Sequence, residues 1–389
     1  MIFALFLFDV FRSMFYNISI KTTTLLIEVF MSGDFFSAFT AWCIGHNLEM
    51  PSGSTLKNSG RLKNLSHPKK KANVSYTYYP AVRSTTGADM VRCIWWDENE
   101  RTEFFHFGES KTLSPEERKA QEQRILANQI AKEKERDKQA EIAHKEYLSL
   151  GVQCVTQKYL QDKNVPAYFG VVYAQNAFEI RGTDGNLRFD VRKSDILIPA
   201  ISLKKKFRTY QRIRFNGDKR LRCDSPKRGA MFPIGIWNPK TTKRVILVEG
   251  YSTGASLFKA LQSIQECDDF AVLVCFDIHN ILEVLVELKQ DYRHIDVILA
   301  TDYDLNSKTQ AGLKTGVALS QQYDVKFVFP TKVRNGSDWN DLSFEMSNQE
   351  MGMHFIEQLD LIETQGLTFM QDEFEKLLTH RNSIKSCVA

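Results

Sequence analysis

The sequence predicts an α/β protein, with a parallel sheet flanked by helices in its C-terminal half, a mixed α+β subdomain ahead of that sheet, and a small N-terminal α+β domain. Compact apolar runs at 245–248, 270–276, 297–300 and 325–329 read as buried strands, with helical stretches near 253–265, 280–290 and 308–322 between them. Strand and helix in alternation imply parallel strands covered on both faces. A chain of 389 residues exceeds one ordinary core, and 43% apolar with 25% charged residues is a globular composition.

Residues 1–30 are rich in Phe, Leu and Ile, but Asp9, Arg12, Lys21 and Glu28 interrupt them. No uncharged run nears the roughly 18 to 20 residues that a membrane span needs, so no membrane partner is expected. Neither a basic lead nor a small-residue cleavage site frames a secretory signal. Met31 is taken as the start, with 1–30 an upstream extension. Residues 31–112 form the small domain: apolar residues recur at helical spacing over 34–48, and aromatic and β-branched runs fill 76–107. Cys43 and His46 would be half a metal site only with a second pair, which is absent; they read as two residues of one amphipathic helix.

Ser114-Pro-Glu-Glu117 is a helix start, with Ser as N-cap, Pro at the first helical position and Glu117 placed for a capping box. Residues 116–146 carry eight basic and eight acidic side chains, with only Ile125, Leu126, Ile130 and Ile142 as sizeable apolar residues. That predicts a solvated linker helix over 113–149, in preference to a nucleic-acid contact. Residues 150–242 read as short strands turning at Gly182, Gly185, Gly217 and Gly229. The parallel-sheet domain spans 243–343, and 344–389 is a polar helical tail without legible chemistry.

The net charge of +4 is mild, but eleven Lys or Arg against Asp218 and Asp224 leave 204–228 at net +9. Phe207, Tyr210, Ile213, Phe215 and Leu221 interleave with these charges, as on strands with one basic face. A polyanion site is expected there, with Arg212, Arg214 and Arg222 among its candidates. Seven cysteines without a CxxC pair give neither a disulfide framework nor a zinc ribbon, which fits a reducing cytoplasm.

In an open parallel sheet, ligands bind beyond the carboxyl ends of the strands. Glu249 follows the first strand, Asp277 the second, Asp302 and Asp304 the third. Two residues apart in extended chain, Asp302 and Asp304 project to one side. With Glu249 they form a hard-oxygen set suited to Mg²⁺ or Mn²⁺ against nucleotide phosphates. Asp277 can equally cap the next helix. Gly250, lacking a Cβ, would admit a close phosphate and a tight turn.

Val248-Glu-Gly-Tyr-Ser-Thr-Gly254, followed by Asp302-Tyr-Asp304, resembles a TOPRIM domain, the nucleotidyl-transfer and hydrolysis module of primases, topoisomerases and some nucleases. Tyr159-Leu-Gln-Asp-Lys163, Ile198-Pro199, Gln211-Arg-Ile213, Gly217-Asp-Lys-Arg220, Lys227-Arg-Gly229, Phe276-Asp-Ile-His-Asn280 and Asp338-Trp-Asn-Asp-Leu342 follow, in order, the pattern of bacterial-type primases of plasmids and phages. Roughly residues 31–345 are covered. The resemblance implies a DNA primase: short RNA primers made from ribonucleoside triphosphates on single-stranded DNA, in the cytoplasm. It also implies contacts from Lys219 and Lys227 to template or triphosphate, and an acidic cluster completed by Asp338 and Asp341, although either aspartate suits a helix cap equally. Three departures stand out: no zinc-binding ligands, no Walker A loop (so a replicative helicase would be a separate protein), and a changed segment Leu305–Gln310. Two other readings remain, a TOPRIM nuclease using the same three acids and a non-catalytic accessory that binds single-stranded DNA.

Overall fold

The computed structural model describes residues 35–49, 59–64, 74–79, 89–95, 101–107, 115–153, 156–264, 270–303, 311–333 and 338–376. Ser114, Asp304 and residues 1–34 lie outside them, as do the expectations that fall there. The chain divides into two compact units, one up to Ala127 and one from Asn128. Among the described residues no helix is long and apolar enough to cross a membrane.

The N-terminal unit contains α1 (Phe35–Gly45) and strands β1 (Leu48–Glu49), β2 (Ser59–Asn64), β3 (Val74–Tyr79), β4 (Asp89–Trp95) and β5 (Arg101–Phe107). The strands form one antiparallel sheet in sequential order. Period-two alternation puts Leu62, Val74, Tyr76, Val91, Cys93 and Trp95 on one face, where they bury against Phe39 and Cys43 of α1. Cys43 and His46 part company: Cys43 is in the core, whereas His46 stacks on Trp42 and pairs with Glu103 at 2.9 Å.

Helix α2 (Pro115–Leu150) is continuous, but its C-terminal half is docked rather than solvated, which corrects the spacer reading for residues 137–150. Ala140, Ala143, Tyr147 and Leu150 are buried, while Ile125, Leu126, Ile130 and Ile142 are exposed. Counting only large apolar residues misses a stripe half built of alanine. Charge completes the docking: Glu146 holds Arg222 at 2.6 and 2.7 Å, and Asp137 holds Arg208 at 2.7 Å.

The C-terminal unit first builds an antiparallel sheet, ordered β12-β11-β10-β7-β6, from β6 (Gly151–Gln153), β7 (Val172–Ala174), β10 (Ile196–Ile201), β11 (Phe207–Ile213) and β12 (Lys219–Leu221). Short α3 (Lys158–Asp162) and the hairpin of β8 (Phe178–Arg181) with β9 (Leu187–Val191) flank it. From Thr209 to Ile213 strand β11 is buried on both sides, so the one-basic-face reading fails there. Only β12, on the sheet edge, turns its basic residues outward.

The second sheet has the order β13-β15-β14-β16-β17, from β13 (Phe232–Gly235), β14 (Arg244–Val248), β15 (Phe270–Val274), β16 (Asp296–Ala300) and β17 (Lys326–Val328). Its last four strands are mutually parallel, and β13 adds an antiparallel edge. The crossovers are α4 (Tyr251–Ser263), α5 (Ile278–Asp291) and α6 (Ala311–Tyr323), followed by α7 (Trp339–Leu342) and α8 (Asn348–Gln365). The chain steps from β14 to one side, then across it to β16 and β17; right-handed crossovers therefore put α4 on one face and α5 and α6 on the other. The packing agrees, α4 lying against α7 and α8, and α5 against α6. Gly352 permits the α4–α8 approach, since a Cβ there would stand 2.7 Å from the Ala260 carbonyl oxygen.

Candidate active site at the ends of the parallel strands

Strand β14 is followed by a helix on one face of the sheet, and its neighbours β15 and β16 by helices on the other. Such a reversal opens a crevice beyond the carboxyl ends of the strands. Glu249 ends β14. The pairing of Leu247 with Leu299 puts Glu249 level with Thr301, so Asp302 follows one residue beyond. Both carboxylates are half-buried, one just beyond the carboxyl end of each of two adjacent strands. The Glu249 carbonyl accepts from the Phe276 amide at 2.8 Å, which holds the end of β14 to β15. On the other side of Glu249, just past β15, lies buried Cys275, whose thiol is pushed up by burial first and then by the charges of Asp277 and Glu249.

Asp277 proves to be a cap, accepting from the Asn280 amide at 2.9 Å at the start of α5. Lys227 pairs with it at 3.2 Å, exposed to solvent. Asp338 likewise caps α7, accepting from the Asp341 amide at 2.7 Å, and the Thr253 hydroxyl lies 3.4 Å from its other oxygen. Burial raises the Asp338 pKa above the ordinary carboxylate value and the Asp341 charge adds to this, against lowering by the Asp341 amide, Lys163 and Lys219. Asp341 sits 3.5 Å from Lys163.

Gly250 is the N-cap of α4 at φ −106°, a conformation open to any residue, so the turn does not require glycine. A Cβ there would stand 3.7 Å from the Lys219 amine and 3.5 Å from the Thr253 hydroxyl, ordinary contact distances. The glycine thus marks where Lys219 meets the glutamate turn. That amine also lies 5.7 Å over the Tyr159 ring. Among the described residues it has no carboxylate within ion-pair distance.

The arginine candidates are placed otherwise. Arg212 is 2% exposed, its guanidinium bonded to the Asp190 carbonyl at 2.9 Å and to Asp218 at 2.7 Å. Arg222 is buried against Glu146. Arg214 pairs with Asp190 and lies 3.3 Å from Asp218. All three are engaged with carboxylates of the subdomain or of α2, whereas the Lys219 amine lies beside the glutamate turn and Lys227 is exposed beside Asp277.

Three side chains that sequence reasoning gave no role join subdomain to sheet. The Tyr251 hydroxyl donates to the Pro166 carbonyl at 2.7 Å and accepts from the Tyr168 amide at 3.0 Å. Asn280 donates to the Ala230 and Cys275 carbonyls and accepts from the Gly229 amide. Buried Asn340 donates to the Lys163 carbonyl and the Ser256 hydroxyl. A polar side chain inside an otherwise apolar helical segment was the available signal.

Among the described residues no three His, Cys, Asp or Glu side chains gather as a metal site. The donors at the crevice are nonetheless carboxylate oxygens, the chemistry that hard divalent cations take. No protein-family model matches the sequence, and no curated protein matches it. Among solved structures, the chain is similar to the primase fragment of the Bacteriophage T7 primase-helicase protein, with a TM-score of 0.34 and 11% identity over 53% of this chain and 74% of that one. It is similar to a DNA primase domain from Pseudomonas aeruginosa, with a TM-score of 0.29 and 15% identity over 43% and 52%. The RNA polymerase domain of Mycobacterium tuberculosis primase DnaG matches with a TM-score of 0.29 and 14% identity over 45% and 58%.

Proposed function

We propose that the crevice beyond β14 and β16 is the active site of a TOPRIM-type DNA primase that joins ribonucleoside triphosphates into short RNA primers on single-stranded DNA. The observation that carries this reading is the placement of Glu249 and Asp302 just beyond the carboxyl ends of adjacent parallel strands at the reversal of the sheet, with the Lys219 amine beside the glutamate turn. Glu249, Asp302 and Asp304 would hold Mg²⁺ or Mn²⁺, which supplies neutralisation of the charge on the transferring phosphates. The Lys219 amine, held over Tyr159, binds a phosphate oxygen of the incoming nucleotide or the template. Glu249 would either position a second ion or accept the proton of the attacking 3′-hydroxyl, as the new bond to the α-phosphorus forms and pyrophosphate leaves. Asp338 positions Thr253 and the α7 turn, and Asp341 positions Lys163. Transfer of this kind rests on placement and charge, so no covalent nucleophile is required. The replicative helicase would be a separate partner.

The test is incubation of the purified chain with single-stranded DNA, labelled ribonucleotides and Mg²⁺ or Mn²⁺, beside Glu249→Gln and Asp302→Asn. Labelled short products, lost by about a hundredfold or more in both variants, are expected. Template degradation without synthesis would replace the reading with the nuclease. Binding without either activity would leave the accessory role.

A further inference from the structure

The N-terminal sheet packs one face against α1, and among the described residues its other face carries Arg61, Thr102, Phe104 and His106 exposed. On that other face the register aligns Phe104 of β5 with Arg92 of β4 and Thr77 of β3, and beside that row it aligns His106 with Met90 and Tyr79. Phe104 is 51% exposed and stacks on His106, their ring centroids 6.4 Å apart and the planes at 30°. Arg61 is exposed on β2 of the same face. Among the described residues neither Arg61 nor Arg92 has a carboxylate within ion-pair distance, and the buried Arg92 Nε has no hydrogen-bond partner. Glu49, on the outermost strand, is the one acid that the register puts on this face among the described residues.

We propose that this face binds single-stranded DNA, with bases stacked on Phe104 and His106 and phosphates held by Arg92 and Arg61. An aromatic pair offers bases a sequence-tolerant platform, and arginines without carboxylates offer charge that folding does not consume. A duplex, whose bases already stack on one another, gains nothing from the rings. The platform stands on the N-terminal unit alone; only the choice of DNA over RNA rests on the proposed function.

The test measures binding of a short fluorescein-labelled oligodeoxythymidylate to the full chain by fluorescence anisotropy. Phe104→Ala and Arg92→Gln are each expected to weaken binding about tenfold, and Phe104→Tyr to restore it, within the range that base stacking on aromatic rings spans. Lost charge shows separately, as a salt slope shallower by about one in Arg92→Gln and in Arg61→Gln. Affinity within about twofold of the parent in both Phe104→Ala and Arg92→Gln would overturn the proposal, as would equal binding of duplex, whereas equal binding of oligouridylate would overturn the choice of DNA over RNA. Failure here is distinguishable from failure at the crevice: Glu249→Gln should lose synthesis and keep this binding, and a parent chain without synthesis whose Phe104→Ala variant binds poorly leaves the platform standing.

Discussion

The two five-stranded antiparallel sheets keep most of their described arginines in opposite company. In the C-terminal unit Arg208, Arg212, Arg214 and Arg222 each face a carboxylate, mostly from a distant part of the chain. In the N-terminal unit Arg61 and Arg92 share an open face with aromatic rings and have no ion pair among the described residues. A paired, buried guanidinium is structure: its charge is neutralised and its donors are committed. An unpaired one beside exposed rings is left available to a ligand. Counting charges along the sequence cannot separate the two, because the density is higher where the charge is already neutralised.

The largest expected effect tests the paired side. Glu146→Ala leaves Arg222 buried without its partner and should cost about 3–5 kcal/mol of stability, the usual penalty for an orphaned buried charge. Arg92→Gln, which removes a half-buried guanidinium and orphans no partner, should cost under about 1 kcal/mol. Urea unfolding measures both, and equal losses would break the comparison.

Burial can also remove a charge rather than pair it. His354 on α8 is 3% exposed, and burial lowers its pKa from 6.5 to about 4, helped by the nearby Lys332 charge and opposed by Glu357. Between those values the unfolded chain takes up a proton that the folded chain refuses. The stability is therefore fully present above pH 6.5 and is lost as pH falls, by about 3 kcal/mol near pH 4. Hydrogen exchange of α8 should accelerate over that window, and His354→Gln should flatten the response. Unchanged pH dependence in the variant would show that the imidazole is not its source.

What was legible in the sequence follows the same division. The runs around Val245–Val248 and Val297–Ala300 declare buried parallel strands because they lack polar residues, and with the strands come the positions of Glu249 and Asp302. The docking of α2 was hidden because its buried stripe contains Ala140 and Ala143. The pairing of Arg222 was hidden because Glu146 lies 76 residues away. The open N-terminal face was visible only as a cluster of aromatics, since choosing its free side requires the position of α1. Asp338 shows the limit of motif reading: a carboxylate matching an acidic motif also satisfies a helix start, and one of its oxygens caps α7.

Lys227 makes the smallest and sharpest test, because it belongs to both kinds at once. It pairs with Asp277 at 3.2 Å, yet its side chain is 62% exposed. An ion pair so open to water contributes at most about 1 kcal/mol, so Lys227→Ala should unfold almost as the parent does. If its amine serves a phosphate, oligonucleotide binding in Lys227→Ala should show a salt slope shallower by about one, and Asp277→Asn, which frees the amine, should bind slightly tighter. If the pair is only a tie between the Lys227 turn and α5, both slopes stay with the parent and Lys227 joins the structural arginines. Either result places the border between charge that holds the fold and charge that meets the ligand, and places it at a single residue.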